Sequence, residues 1–233
     1  MADKILSGTD AFDYLLEGGY EKDIVTTIYG PAGSGKTTFC LLAAIHLPKD
    51  KKILFIDTEG GFSVSRLSQL MPDSKLFLER IFFLKPTNFE EQKQTFQKVS
   101  DMVNQKFGLI IVDTISSLYR VERGVNNGED IYDLNRELGK QIGLLVEISR
   151  KKDIPVLLTN QVYADFEDKT RVSMVGGDIL KYGSKCLIEL QSNNGHRKAI
   201  LRKHRSLPER EVEFKIEEKG IFMVKESKGF KLF

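Results

Sequence analysis

Only two cysteines, Cys40 and Cys186, occur in the 233 residues, both in apolar stretches and at a separation no metal-ligand motif uses. Neither a disulfide framework nor a structural metal centre is expected, and the thiols are read as buried and reduced in a cytoplasmic protein. The N-terminal MADKILSGTDAF lacks the apolar stretch of a secretory leader. No run approaches the roughly 18 apolar residues of a membrane span, so no membrane partner is expected. A strong excess of either charge is also missing. The 35 Lys and Arg against 33 Asp and Glu leave a net charge of +2, which leaves any attraction to nucleic acid to local clusters. Low-complexity linkers and internal repeats are absent too, so a single domain over residues 1–233 is expected, its core supplied by a 41% hydrophobic composition.

What is present is an alternation of apolar strand-like runs with helical patterns, the mark of βαβ units and a parallel sheet. Candidate strands are Ile24 to Tyr29, Lys52 to Asp57, Ile81 to Leu84, Leu109 to Asp113 and Pro155 to Thr159. Each is nearly continuous in apolar residues, as strands covered on both faces require. Helices are predicted near Asp10 to Glu17, Lys36 to Leu47, Ser63 to Met71, Phe89 to Lys106 and Ile131 to Lys152. Ser7 or Thr9 caps the first of these, and Gly18-Gly19 stops it. After Gly177 the pattern changes to strands near Lys185 to Gln191, Arg197 to His204, Glu211 to Ile216 and Ile221 to Lys225, read as antiparallel hairpins that extend the sheet. The stretches from Arg120 to Asp130 and from Val162 to Val175 read as long loops, the kind that binds ligands beside strand ends.

Gly30-Pro31-Ala32-Gly33-Ser34-Gly35-Lys36-Thr37, followed by Thr38, is a complete phosphate-binding loop between a strand and a helix. Its glycines let successive amides converge on a phosphate at the positive end of the helix. Lys36 would reach the β- and γ-phosphate oxygens of a bound triphosphate, and Thr37 would offer its hydroxyl to Mg²⁺. Four apolar residues, Leu109 to Val112, carry Asp113 to the sheet's C-terminal edge, where an acid can stand beside the metal. Glu59 emerges at the same edge, either as the carboxylate that polarises the attacking water or as a turn-capping acid. Asn160-Gln161 ends another strand, read as γ-phosphate recognition or as ordinary turn chemistry. His196 to Arg205 is the densest basic run, read as solvated edge charge, a nucleic-acid contact or a cation for a neighbour's phosphate.

Together with FIDTEGGFSVSRL, LIIVDTISSLYR, LLTNQV, MVGGDILKYGSK and LPEREVEFKIEEKGI, the loop makes the chain resemble the ATPase core of the RecA/RadA recombinases, most closely their short archaeal paralogues, from about Leu6 to Val224. The resemblance implies a RecA-like P-loop NTPase core with a mostly parallel central sheet covered by helices on both faces. It implies Glu59 as the water-activating acid, Gln161 as the γ-phosphate sensor, Thr37 and Asp113 at the metal, and Arg66 near the adenine. It places the two long loops toward DNA, with Arg120, Arg123, Lys169 and Arg171 as the contacts. It also implies that Lys203 and Arg205, set two apart on one strand, reach the γ-phosphate of an adjacent copy. Because the matching stretches begin at about Leu6, neither the N-terminal helical domain nor the polymerisation segment of full recombinases is expected before the core. The second loop is short and carries Asp165, Glu167 and Asp168, which repel DNA phosphate.

An ATP- and DNA-binding accessory protein of recombination and repair is therefore expected, with weak ATPase activity and no full strand exchange. Its expected partners are DNA, single-stranded and duplex, further copies of itself, and a second recombination protein such as a RadA recombinase or a Holliday-junction resolvase. A KaiC-like signalling ATPase, a P-loop small-molecule kinase and a non-catalytic nucleotide-binding adaptor are the alternatives. Asn160-Gln161-Val162 and Gly176-Gly177 favour the recombinase reading over the signalling one.

Overall fold

In the computed structural model, which describes residues 3–125, 130–164, 172–193 and 195–224, the apolar runs line up in one nine-stranded sheet. Chain order is β1 (Lys4–Ile5), α1 (Asp10–Leu16), β2 (Tyr20–Glu21), β3 (Val25–Tyr29), α2 (Lys36–Ile45), β4 (Lys52–Asp57), α3 (Val64–Leu70), α4 (Ser74–Leu78), β5 (Ile81–Leu84), α5 (Phe89–Met102) and β6 (Phe107–Asp113). It continues through α6 (Ser117–Val125), α7 (Asp130–Lys152), β7 (Val156–Asn160), β8 (Val162–Ala164), β9 (Val172–Met174), α8 (Gly177–Gly183), β10 (Cys186–Asn193), β11 (His196–Lys203), β12 (Arg210–Glu217) and β13 (Gly220–Met223). The spatial order is β13-β12-β11-β10-β3-β7-β6-β4-β5, parallel from β10 to β5 and antiparallel from β10 to β13. The expected hairpin extension is thus joined to the parallel half through β10, which runs alongside β3.

Period two divides each central strand between two cores. Ile53 and Phe55 of β4, Leu109 and Ile111 of β6, and Leu157 of β7 pack with α1 and α2. Leu54, Ile56, Ile110, Val112, Val156 and Leu158 face the other way, against α5, α6, α7 and α8. Helices cover both faces because both sets of side chains are apolar. Phe39 of α2 fastens the first core to the C-terminal strands, stacking on Phe12 at 3.7 Å and meeting Phe214 edge-on at 5.2 Å between ring centres.

Local signals set most helix ends. Thr9, rather than Ser7, accepts the Ala11 amide as the α1 cap, and Glu17 takes the left-handed stop one residue before the predicted glycines. Asn88 caps α5, which ends at Met102 and not at Lys106, because an Asn104–Phe107 turn re-aims the chain into β6. The predicted Arg120 to Asp130 loop is instead helical to Val125. Leu118 and Tyr119 drive this by packing into the second core, where Tyr119 also meets the Phe89 ring at 6.0 Å. The stretch read as a loop after Gln161 holds the β8–β9 hairpin. Two short helices, α4 and α8, and the β1–β2 pair were not foreseen because each is too short to show a period. Lys225, predicted as the end of the last strand, lies outside the described residues.

Candidate functional site

Strand β3 ends at Tyr29 and α2 begins at Lys36, so the six intervening residues form the loop at the C-terminal edge of the sheet's central strand. Gly35 closes it at φ 104°, a left-handed backbone conformation that calls for glycine. The first amides of α2 have no intrahelical acceptor and face the cleft, at the positive end of the helix dipole. Lys36 lies over the loop, only 8% exposed. Its ammonium donates to the carbonyls of Gly30 at 2.9 Å and Pro31 at 2.8 Å. Burial lowers its pKa, against the pull of Asp113 and Glu59.

Thr37 Oγ1 donates to Asp113 Oδ2 at 2.6 Å, joining the loop to the end of β6. The other Asp113 oxygen accepts from Thr159 Oγ1 on β7. Burial raises the Asp113 pKa despite these two hydroxyl donors. Glu59 leaves the end of β4 and reaches across it, where its Oε1 accepts from Gln161 Nε2 and from Thr114 Oγ1, both at 2.7 Å. Turn capping after β4 falls to Asp57, whose carboxylate accepts the amides of Glu59, Gly61 and Phe62. Glu59 itself is among the residues that line the cleft.

Asn160 is a residue whose part only the structure displays. It is fully buried, accepts from Ser116 Oγ and donates to the Val175 carbonyl at 2.9 Å. One side chain thus ties the entry to α6 to the base of the β8–β9 hairpin, immediately beside Gln161. Ordinary turn chemistry does not describe it.

The walls of a cleft of about 400 Å³ include Gly33, Lys36, Thr37, Thr38, Glu59, Asp113 and Gln161, with Arg197 and Ile216 opposite. Gly30 and Pro31 contribute their carbonyls to Lys36, Ala32 lines the mouth, and Ser34 is buried beneath with an unpartnered hydroxyl. Convergent amides, an ammonium and a lining arginine fit an anionic oligophosphate. Thr37 and Asp113 offer hard oxygens, as Mg²⁺ requires.

Three expected residues have other engagements. Arg66 is absent from the cleft walls, and its guanidinium donates to the carbonyls of Glu217 and Glu218 at 2.9 Å, clasping the β12–β13 turn that carries the cleft rim. Lys203 ends β11 and donates to the carbonyls of Lys181 and Ser184 at the end of α8. Arg205 follows the strand and makes a two-toothed bond to Asp23 at 2.7 Å while pairing with Glu21 at 2.6 Å. Because β11 stops at Lys203, the alternation expected to put both cations on one face does not continue, and His204 joins Arg205 near Glu21. Arg120 and Arg123 lie three apart on α6, both exposed and without an ion pair among the described residues. Lys169 and Arg171 lie outside the described residues.

The Rad51 family model matches residues 3–224. The DNA repair and recombination protein RadB of Methanobrevibacter smithii is 40% identical over 219 residues, covering 90% of this chain and 92% of that protein. Its namesake in Methanocaldococcus jannaschii is 38% identical over 211 residues, covering 90% and 98%. A crystal structure of the RadB recombinase superposes with a TM-score of 0.79 at 34% identity, covering 95% of this chain and all of that one.

Proposed function

The chain belongs to the Rad51 family, and from that premise we propose that it serves DNA recombination and repair as an ATP- and DNA-binding accessory protein with weak ATPase activity. The observation that carries this reading is the meeting of Lys36, the Thr37–Asp113 pair and the Glu59–Gln161 pair around one cleft. Lys36 exchanges its loop carbonyls for phosphate oxygens. Thr37 and Asp113 would hold Mg²⁺, which would supply neutralisation of phosphate charge. Glu59 orients and polarises the attacking water, and Gln161 turns from Glu59 toward the terminal phosphate.

Such a turn of Gln161 pulls on the β8–β9 hairpin, whose base is bonded to the Gln161 carbonyl and to Asn160. Asn160 passes the change to Ser116 and the start of α6. This link between cleft and α6 supports a DNA-coupled ATPase over a signalling ATPase or a small-molecule kinase. The proposed protein partner is a second recombination protein, a RadA recombinase or a Holliday-junction resolvase.

The function is tested by measuring binding to single-stranded and duplex DNA, with and without ATP, at several salt concentrations. Binding should be stronger with ATP and fall steeply with salt. Neutralising Arg120 and Arg123 together should make the log–log salt slope shallower by about 1.4 to 1.8, two phosphate contacts' worth of counterions. No binding to any DNA at low salt sinks the recombination reading.

Lys203 and Arg205 are proposed to act on a neighbour's γ-phosphate, Lys203 leaving the carbonyls at the end of α8 and Arg205 leaving Asp23 and Glu21 on assembly. Turnover per chain should then rise with protein concentration. Mixing Lys36→Ala chains, which keep the cations, with Lys203→Ala/Arg205→Ala chains, which keep the loop, should restore activity that neither shows alone. A mixture no more active than its parts, under conditions where wild type associates, removes the role in trans.

A further inference from the structure

Strand β11 sends Leu201 and Ala199 into the first core, and the same period of two carries Arg197, next in that row, past the core's edge into the wall of the phosphate cleft. Phe214 of β12 and Ser192 of β10 flank it in register, so the strand itself aims the side chain. The other cations inside β11 that point to the opposite face have carboxylate partners. Lys198 meets Glu211 at 2.9 Å, and Arg202 meets Glu189 at 2.7 Å and Glu209 at 2.6 Å. Arg197 has no ion pair among the described residues, and its Nε is fully buried without an acceptor. A buried donor left unpaired costs free energy, and an acceptor arriving from outside the chain would relieve that cost. The cleft it lines already gathers Lys36 and the α2 amides. A guanidinium there presents a planar fork suited to two phosphate oxygens at once.

We propose that Arg197 is a binding residue for the nucleotide's polyphosphate, supplied within the same chain by the antiparallel half of the sheet. The inference rests on the ATP reading of the cleft. It makes the β10–β11 hairpin part of the nucleotide site, so that the triphosphate is gripped between α2 on one side and β11 on the other.

The test pairs two measurements on the full chain with opposite expected signs. Arg197→Met keeps length and bulk while removing the unpaired donor, so thermal melting without nucleotide should be unchanged or raised. Titration with fluorescent ATP and ADP should show affinity reduced by about tenfold to a hundredfold, the range of a charge-assisted hydrogen bond. Arg197→Lys, which keeps the charge and loses the fork, should fall between wild type and Arg197→Met. Wild-type affinity in Arg197→Met overturns the inference. So does a lowered melting temperature without loss of affinity, which marks a packing role. If Arg197→Met does not fold, Arg197→Lys decides, a several-fold loss supporting the inference and wild-type affinity overturning it. With Lys36→Ala as control, the two readings separate. If wild type binds ATP, Lys36→Ala loses it and Arg197→Met retains it, only the Arg197 role falls. If wild type binds none, both fall.

Discussion

Glu59→Gln is expected to cut ATP turnover by about a hundredfold or more while leaving ATP affinity nearly intact, the size of a lost general base. The substitution is well posed because the surrounding hydrogen bonds survive it. Gln161 Nε2 and Thr114 Oγ1 both donate to Oε1 of Glu59, and the amide oxygen of a glutamine can accept both. The turn after β4 is untouched, since Asp57 holds its amides. What disappears is the negative charge and the ability to polarise water. Single-turnover hydrolysis measured beside equilibrium ATP binding checks the expectation. Unchanged turnover in the variant returns Glu59 to a positioning part.

Lys36→Ala is expected to weaken ATP binding by about a hundredfold or more, the worth of its charge-assisted bonds to phosphate. The lysine is not a free surface group waiting for ligand, but is already desolvated and seated on the Gly30 and Pro31 carbonyls. Its burial is therefore met before nucleotide binds, and phosphate oxygens replace two acceptors instead of recruiting a solvated chain. The fold should persist, because α2 is held to the first core by Phe39, Cys40, Leu41 and Leu42 and not by the lysine. Thr37→Ala should mainly remove the Mg²⁺-dependent part of the affinity, since its hydroxyl bridges to Asp113. Isothermal titration with and without Mg²⁺ checks both. Wild-type affinity in a folded Lys36→Ala protein removes the nucleotide site from the loop.

Residues whose chemistry depends on near neighbours in the chain were legible before folding was considered. The loop from Gly30 to Thr37 dictates its own strand–turn–helix geometry through glycines and spacing. Continuous apolar strands declared a sheet covered on both faces, and acids at strand ends, Glu59 and Asp113, had to emerge at one edge because parallel strands share a direction. Partners set by register were hidden. Arg197 belongs to the site because β11 pairs Arg197 with Phe214, and a shift of one residue would have turned it to the opposite face. Arg66 meets carbonyls some 150 positions away, and Arg205 leaves the row of Lys203 because the strand ends between them. Asn160 joins two loops only once β6 and β7 lie side by side. The sequence by itself determined the chemistry of the phosphate loop and the class of sheet that holds it, because these are written in spacing along the chain. Tertiary structure alone decided which cation faces the cleft and which is spent on a carboxylate or carbonyl, because those choices follow from strand register and strand ends, where one residue exchanges core, cleft and solvent.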